Sequence, residues 1–216
     1  MQTRIIDGNA IARELRAGLR KRAATLAAKG VRAGLAVIRV GDHPASSVYV
    51  RNKIKACGEV GIDSQDIQLP ATTDESILLE RIGVLNEDPR VHGILVQLPF
   101  PPTLSSERVF EAIDPLKDVD GFHPINVGRL AIGHPRFVPC TPLGVMKLFE
   151  HEGIGLEGRH AVVVGRSNIV GKPMALLRLQ SGATVTICNS KTPDLGAMTR
   201  EAEILVVAAG KPRLVT

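Results

Sequence analysis

The 216-residue chain is 44% hydrophobic, enough for a buried core in one large domain or two modest ones. Aromatic residues make up only 3%, with no Trp and a single Tyr, which argues against stacking platforms for single-stranded nucleic acid. The net charge of +5 and pI near 9.4 suit an anionic partner, yet Lys and Arg are scattered without a basic run, so small anionic ligands are favoured over a polynucleotide.

Met1-Gln2-Thr3-Arg4-Ile5-Ile6-Asp7-Gly8 is no signal peptide, and no stretch approaches a membrane span. A soluble cytoplasmic protein with no membrane partner is expected. The first helix should cover Asn9 to Lys29, where Ile11, Leu15, Leu19 and Leu26 recur at helical spacing, and Gly30 ends it. Leu35–Val40 then reads as a buried strand broken by Gly41 and Pro44. Pro44 suits the first turn of a helix running to about Gly58, with Val50, Ile54 and Cys57 as its apolar stripe. Tyr49 and Lys53 lie four apart beside that stripe, so their side chains are neighbours on one face. A lysine at the edge of a buried face loses hydration, which favours the neutral amine that a proton carrier uses. On spacing alone the pair reads as a solvated lysine next to a half-buried tyrosine, because i,i+4 pairs are common on any helix.

A strand over Ser64–Leu69 and a helix from Asp74, which supplies its cap, to about Glu87 follow. His92–Leu98 is a short apolar run closed by Pro99, and Ser105–Ile113 makes one more helix. Strands alternating with helices imply parallel pairing in an α/β layer. Gln97 sits at the end of its strand and Asp120 lies in Lys117-Asp118-Val119-Asp120-Gly121; either alone reads as an ordinary loop or turn residue. Asp114 to Pro142 is rich in Pro and Gly and is expected to be an ordered loop region, where ligand-binding residues concentrate. The domain junction is placed here, dividing the chain into 1–140 and 141–216, with Thr141 capping a connecting helix to about Glu152.

The second domain reads βαβαβ, the half-unit of a dinucleotide-binding fold. Its elements are a strand His160–Val164, a turn Gly165–Gly171, a helix opening at Lys172, a strand Thr184–Cys188, a helix Pro193–Ala202 and a strand Ile204–Ala209. The turn, G-R-S-x-x-x-G, departs from G-x-G-x-x-G, but it follows a strand and opens a helix. Backbone N–H groups at that helix start suit a pyrophosphate, so Gly165, Arg166, Ser167, Ile169, Val170 and Gly171 are candidate cofactor residues. After the second strand comes Asn189-Ser190-Lys191-Thr192, with no acid where a reader of the bare ribose 2′-hydroxyl places one. Arg166, Ser190 and Lys191 offer donors for a 2′-phosphate instead, with Thr192 alongside, which favours NADP over NAD. Cys57, Cys140 and Cys188 sit among apolar neighbours and are expected as buried free thiols in a reducing compartment; the histidines show no ligand spacing, and no metal is expected.

Five segments occur in one order: Ser46-x-x-Tyr49-Val50-x-x-Lys53, Val96-Gln97-Leu98-Pro99, Lys117-Asp118-Val119-Asp120-Gly121-Phe122-His123-Pro124-x-Asn126-Val127-Gly128, Pro139-Cys140-Thr141-Pro142 and Gly165-Arg166-Ser167-x-x-Val170-Gly171-x-Pro173. In these the chain closely resembles the bifunctional methylenetetrahydrofolate dehydrogenase/methenyltetrahydrofolate cyclohydrolase family, over almost its whole length. The resemblance implies a two-lobed α/β fold: an N-terminal folate-binding catalytic lobe plus a Rossmann-type dinucleotide-binding lobe, with folate in the cleft. It implies oxidation of 5,10-methylenetetrahydrofolate by NADP⁺ and hydrolysis of the methenyl product to 10-formyltetrahydrofolate, in one-carbon metabolism that serves purine biosynthesis. In family terms Lys53 is the catalytic lysine of the hydrolytic half, Tyr49 lies against the folate, Gln97 hydrogen-bonds Lys53, Leu98 and Pro99 contact the substrate, and Asp120 binds the pterin ring. The implied partners are tetrahydrofolate one-carbon derivatives, with or without a polyglutamate tail, and a second copy in a homodimer formed through the nucleotide lobe.

Two departures stand out. Family members continue beyond the third strand of the nucleotide unit, so the Rossmann-type lobe is expected to be C-terminally incomplete, as a fragment or a natural truncation. Asn189 stands where the family commonly has His. The competing reading is a non-catalytic folate- or nucleotide-binding protein. A second competitor, a two-lobed NADP dehydrogenase for hydroxy or keto acids, is disfavoured because a Lys–Asp pair at hydroxyl-oxidising spacing is absent.

Overall fold

The computed structural model describes residues 3–215, so the ends of the Met1–Gly8 stretch and of the closing Lys211–Thr216 segment lie outside the described residues. The chain divides into two compact units, Met1–Val119 and Asp120–Thr216.

The first unit runs α1 (Gly8–Ala28), β1 (Gly34–Val40), α2 (Pro44–Val60), β2 (Asp63–Leu69), α3 (Glu75–Glu87), β3 (Gly93–Gln97) and α4 (Ser106–Ala112). The Asp7 carboxylate caps α1 by accepting from the N–H groups of Asn9 and Ala10. The three strands are parallel in the order β2-β1-β3, with Ile38 opposite both Ile67 and Val96. Central β1 is buried on both faces, as expected of a continuous apolar strand in a parallel sheet. Ala36, Ile38 and Val40 pack with Leu78, Ile82, Ile94 and Val96, while Val37 packs with Val50 and Leu95 on the other face.

The second unit runs α5 (Pro124–Ala131), α6 (Cys140–His151), β4 (His160–Val164), α7 (Gly171–Gln180), β5 (Thr184–Cys188), α8 (Leu195–Arg200) and β6 (Ile204–Val207). Its strands are parallel in the order β5-β4-β6. Val162, Val164 and Cys188 meet Leu195 and Met198 on one face; Val163 meets Met174 and Ala175 on the other. Among the described residues no helix is long and apolar enough to cross a membrane.

The structure departs from the sequence expectations at several points. The Pro- and Gly-rich stretch contains a helix, α5, because Pro124 occupies its first turn and the His123 imidazole accepts from the Ile125 N–H. By contacts the segment 120–139 goes with the second unit: α5 packs on α7, and the Gln180 amide donates to the Leu130 carbonyl. Helix α6 starts at Cys140 after Pro139, so Thr141 is not its cap, and Asp74 stands at the α3 cap position without a side-chain cap bond. Helix α8 is shorter than expected because Asp194 caps it by accepting from the Ala197 N–H. Cys57 and Cys188 are buried, but Cys140 is exposed in the first turn of α6.

One buried charge stands out. The Arg178 side chain on α7 is fully buried, with its guanidinium 3.9 Å from the Phe149 ring centroid of α6. Its Nε and both Nη atoms have no hydrogen-bond partner among the described residues, and burial pushes its pKa down to about 10. The group is therefore still charged at neutral pH. Because its folded-state pKa lies below its ordinary value, the penalty is complete below about 10 and is relieved as pH rises from there. Replacing an unsatisfied buried charge with a similar-sized apolar group is stabilising by about 1–4 kcal/mol, and the lost cation–π contact offsets up to about 2 of this. Arg178→Leu is therefore expected to raise the melting temperature, whereas Arg178→Ala, which leaves a cavity, gains less or loses stability. A lower melting temperature for the leucine variant in thermal denaturation would mean that the ring contact outweighs desolvation.

Candidate active site

In the first unit, β1 stops at Gly41, whose φ of +84° turns the chain, and Pro44 in the first turn starts α2. Arg39 of β1 forks onto Asp66 at 3.0 Å through both Nε and Nη2 and donates from Nη1 to Ser47 Oγ at 3.1 Å, tying the first turn of α2 to the sheet. Two turns further on, Lys53 Nζ donates to Gln97 Oε1 at 3.0 Å. Gln97 is the last residue of β3, and its Nε2 donates to the Leu98 carbonyl at 2.8 Å. Ser46 Oγ donates to the same carbonyl at 3.2 Å. With its N–H₂ group committed to Leu98, the amide turns its oxygen toward the lysine.

Tyr49, Lys53 and Cys57 form one column on α2 at four-residue spacing. Tyr49 is 64% exposed, not half-buried, while Lys53 is partly buried and Cys57 is buried. Burial pushes the Cys57 thiol up, and the Lys53 charge acts in the opposite, lesser sense. The column thus grades from solvent through an amine to a neutral thiol. Leu98 is partly buried and Pro99 exposed, joined by a cis peptide bond. Asp120 begins the second unit and is partly buried. Buried Ser46 is the residue that sequence reasoning quoted without giving it a role. Its signal was its place seven residues before Lys53, which puts both on one helical face.

In the second unit a cavity of about 540 Å³ opens at the C-terminal ends of the strands. Val164 and Gly165 reach it from β4, Asn189 and Ser190 from β5, and Ala208 and Ala209 from β6. Gly165 has φ +137°, and a Cβ there would lie 2.5 Å from the Ala208 carbonyl oxygen; one on Gly171 would lie 2.2 Å from the Gly165 oxygen. Only glycine permits the turn to run this close to β6 and to the start of α7. Of the expected cofactor residues, Gly165, Arg166, Ser167, Ser190 and Thr192 line the cavity, while Ile169, Val170, Gly171 and Lys191 are not in its walls. Lys211, Leu195 and Leu214 also line it and were not anticipated. For Lys211 the available signal was its place just past the third strand, at the end of a parallel sheet where ligands bind.

Four local bonds shape these two turns. Ser167 Oγ accepts from the N–H groups of Val170 and Gly171 at 3.1 and 3.2 Å, so these helix-start donors are engaged by a side chain. Asn189 donates its N–H to Thr192 Oγ1 at 2.9 Å and accepts the Lys191 N–H on Oδ1 at 2.9 Å. It therefore closes the loop that presents Ser190. Among the described residues no carboxylate side chain lines the cavity, whose cations are Arg166 and Lys211. That donor set fits a dinucleotide carrying an extra phosphate. Among the described residues no cluster of three or more His, Cys, Asp or Glu could hold a metal ion.

Residues 6–120 match the tetrahydrofolate dehydrogenase/cyclohydrolase catalytic domain, and residues 139–216 match the NAD(P)-binding domain of the same family. The chain belongs to the tetrahydrofolate dehydrogenase/cyclohydrolase family. It is 62% identical to the bifunctional protein FolD of Burkholderia thailandensis over 216 residues, which cover all of this chain and 76% of that protein. Among solved structures it resembles the bifunctional FolD of Campylobacter jejuni (49% identity, TM-score 0.95, covering 97% of this chain and 75% of that one). It also resembles the Trypanosoma brucei FolD complexed with NADP cofactor and inhibitor (39% identity, TM-score 0.96, covering 100% and 75%).

Gly165→Ala tests the family's nucleotide turn here. A side chain at that φ costs about 1–3 kcal/mol before the clash with Ala208 is counted. Nucleotide binding by calorimetry is expected to be lost or cut severely with the protein still folded by circular dichroism. Wild-type affinity would mean that the turn does not set the cavity.

Proposed function

We propose that the chain oxidises 5,10-methylenetetrahydrofolate to 5,10-methenyltetrahydrofolate with NADP⁺ and hydrolyses that product to 10-formyltetrahydrofolate. The observation that carries the hydrolytic half is the 3.0 Å bond from Lys53 Nζ to the anchored Gln97 amide. A neutral amide orients the amine without the strong upward pull a carboxylate would exert on its proton affinity. In this reading Lys53 takes a proton from the water attacking the methenyl carbon and returns one to the departing nitrogen, N5. Tyr49, exposed beside it, lies against the folate; Leu98 and Pro99 form part of the substrate surface, and Asp120 accepts from the pterin N–H groups. NADP⁺, when bound, accepts the hydride. The chain's part in that step is alignment, since the carbon that loses hydride becomes a cation shared by two nitrogens and needs little proton transfer.

In the same reading 1–140 act as the folate-binding catalytic domain and 141–216 as the NADP-binding domain, with Arg166, Ser190 and Lys191 toward the 2′-phosphate. The protein works in the cytoplasm, its product serves purine biosynthesis, and polyglutamylated folates are accepted. It forms a homodimer through the nucleotide lobe, a reading supported by exposed Ile187, Leu205 and Val207 on outer strands β5 and β6. The non-catalytic alternative is not favoured, because the relatives spanning this chain are named bifunctional enzymes.

Two measurements test this. Lys53→Met is expected to lower cyclohydrolase turnover by about 10²–10⁴-fold while leaving more of the hydride transfer, so methenyltetrahydrofolate accumulates and is seen by its absorbance. Equal loss of both activities would remove the assigned role. Arg166→Met is expected to lower the preference for NADP⁺ over NAD⁺ in kcat/KM by about tenfold or more, the scale of one charge-assisted hydrogen bond. An unchanged preference would take Arg166 away from the 2′-phosphate.

A further inference from the structure

We infer that Lys211 is a further phosphate-binding residue of the cofactor site, reading the pyrophosphate and not the 2′-phosphate. The inference rests on the NADP reading above. A dinucleotide brings two separate anionic centres. The donors that distinguish NADP belong where the second strand of the unit ends, which here is the Asn189–Thr192 loop after β5, with Arg166 from the turn after β4. The pyrophosphate would ordinarily be held by the first N–H groups of the helix that follows the turn. Here the N–H groups of Val170 and Gly171 are engaged by Ser167 Oγ, while the Lys172 N–H donates to the Ser167 carbonyl at 3.0 Å. The start of α7 is therefore short of donors, and the cavity needs positive charge from another element.

Lys211 supplies it from the opposite side of β4. The strand order β5-β4-β6 puts β6 across from β5, so a residue following β6 faces the cavity away from the 2′-phosphate donors. The Lys211 backbone is held on both sides. Before it, the Ala208 N–H donates to the Val164 carbonyl at 2.7 Å; after it, Leu214 packs against Val162, Val164 and Cys188. Between these anchors Gly210 at φ +62° and Arg213 at φ +56° bend the segment. A non-glycine residue held at positive φ carries strain that its surroundings must sustain, and such strain gathers at ligand sites. Lys211 is exposed and makes no ion pair with any described residue, and no acid lines the cavity to compete for it.

The test is calorimetric titration of the full chain with three probes: NADP⁺, NAD⁺ and adenosine 2′-monophosphate, which carries the 2′-phosphate alone. Lys211→Met is expected to weaken NADP⁺ and NAD⁺ by the same factor, about tenfold or more, and to leave adenosine 2′-monophosphate unchanged. Lys211→Arg, which keeps the charge, should restore most of the dinucleotide affinity. Arg166→Met should show the converse pattern, losing NADP⁺ and the monophosphate but sparing NAD⁺. Unaltered NADP⁺ affinity in Lys211→Met, or a loss of the monophosphate as large as that of NADP⁺, overturns the assignment to the pyrophosphate. Failure of the unsubstituted chain to bind any probe overturns the NADP reading itself, and this inference with it.

Discussion

A hydrogen bond between a lysine and an amide is the fixed point of the first unit's candidate site, and what matters is how the amide is held. Gln97 could present either end of its carboxamide to Lys53, and only the oxygen end accepts from an amine. The Leu98 carbonyl settles this by accepting a hydrogen bond from Nε2, and Ser46 Oγ donates to that same carbonyl. Three residues from α2, β3 and the loop after it thus fix one polarity. The amine is oriented by a neutral partner, which suits the proposed role of accepting and donating protons. The Arg39 fork onto Asp66 and its bond to Ser47 serve this arrangement by seating the first turn of α2 on the sheet.

Each unit solves the same topological problem. Both have a central first strand flanked by the next two, so the chain reverses direction across the sheet and leaves a crevice at the strand ends. In the first unit the crevice end of β3 carries Gln97. In the second the ends of β4, β5 and β6 all open onto the cavity. The order β5-β4-β6 brings β6 directly beside the glycine turn, which is why Gly165 answers to the Ala208 carbonyl and not to a helix or ligand alone. A G-R-S-x-x-x-G turn differs from the commoner fingerprint in a way this geometry explains. The residue after the arginine is a serine whose hydroxyl closes the helix start, work otherwise left to bound phosphate.

Much of this was legible in the sequence. Val162–Val164 and Ala36–Ile38 are apolar runs too short for helices, and Gly or Pro closes the elements on either side, so strands, helices and parallel pairing followed from pattern alone. The Tyr49/Lys53 neighbourhood followed from helical periodicity, and the missing acid after β5 pointed to the extra phosphate of NADP. What escaped were matters of tertiary context. Helix α5 lay hidden because its density of Pro and Gly reads as loop, although one of those prolines is its first-turn residue. Leu15, Leu19 and Leu26 recur at helical spacing, yet all three are exposed on α1. Lys211 and Ser46 are marked in the sequence only by position, past the third strand and seven residues before Lys53; each becomes meaningful when a distant carbonyl or strand end arrives beside it.

Arg178 and Lys211 show how differently one unit treats two cations. Arg178 is fully buried with the Phe149 ring of α6 against its guanidinium and no hydrogen-bond partner for that group among the described residues, so its charge is held at the expense of stability. Lys211 stands in solvent, where its charge costs little, on a segment bent and pinned at both ends. A cation built for an incoming anion must stay hydrated until the anion arrives, because desolvating it beforehand would spend the attraction that binding is meant to supply. By that criterion the buried arginine is a burden on the fold, and the exposed lysine is the one arranged to receive phosphate.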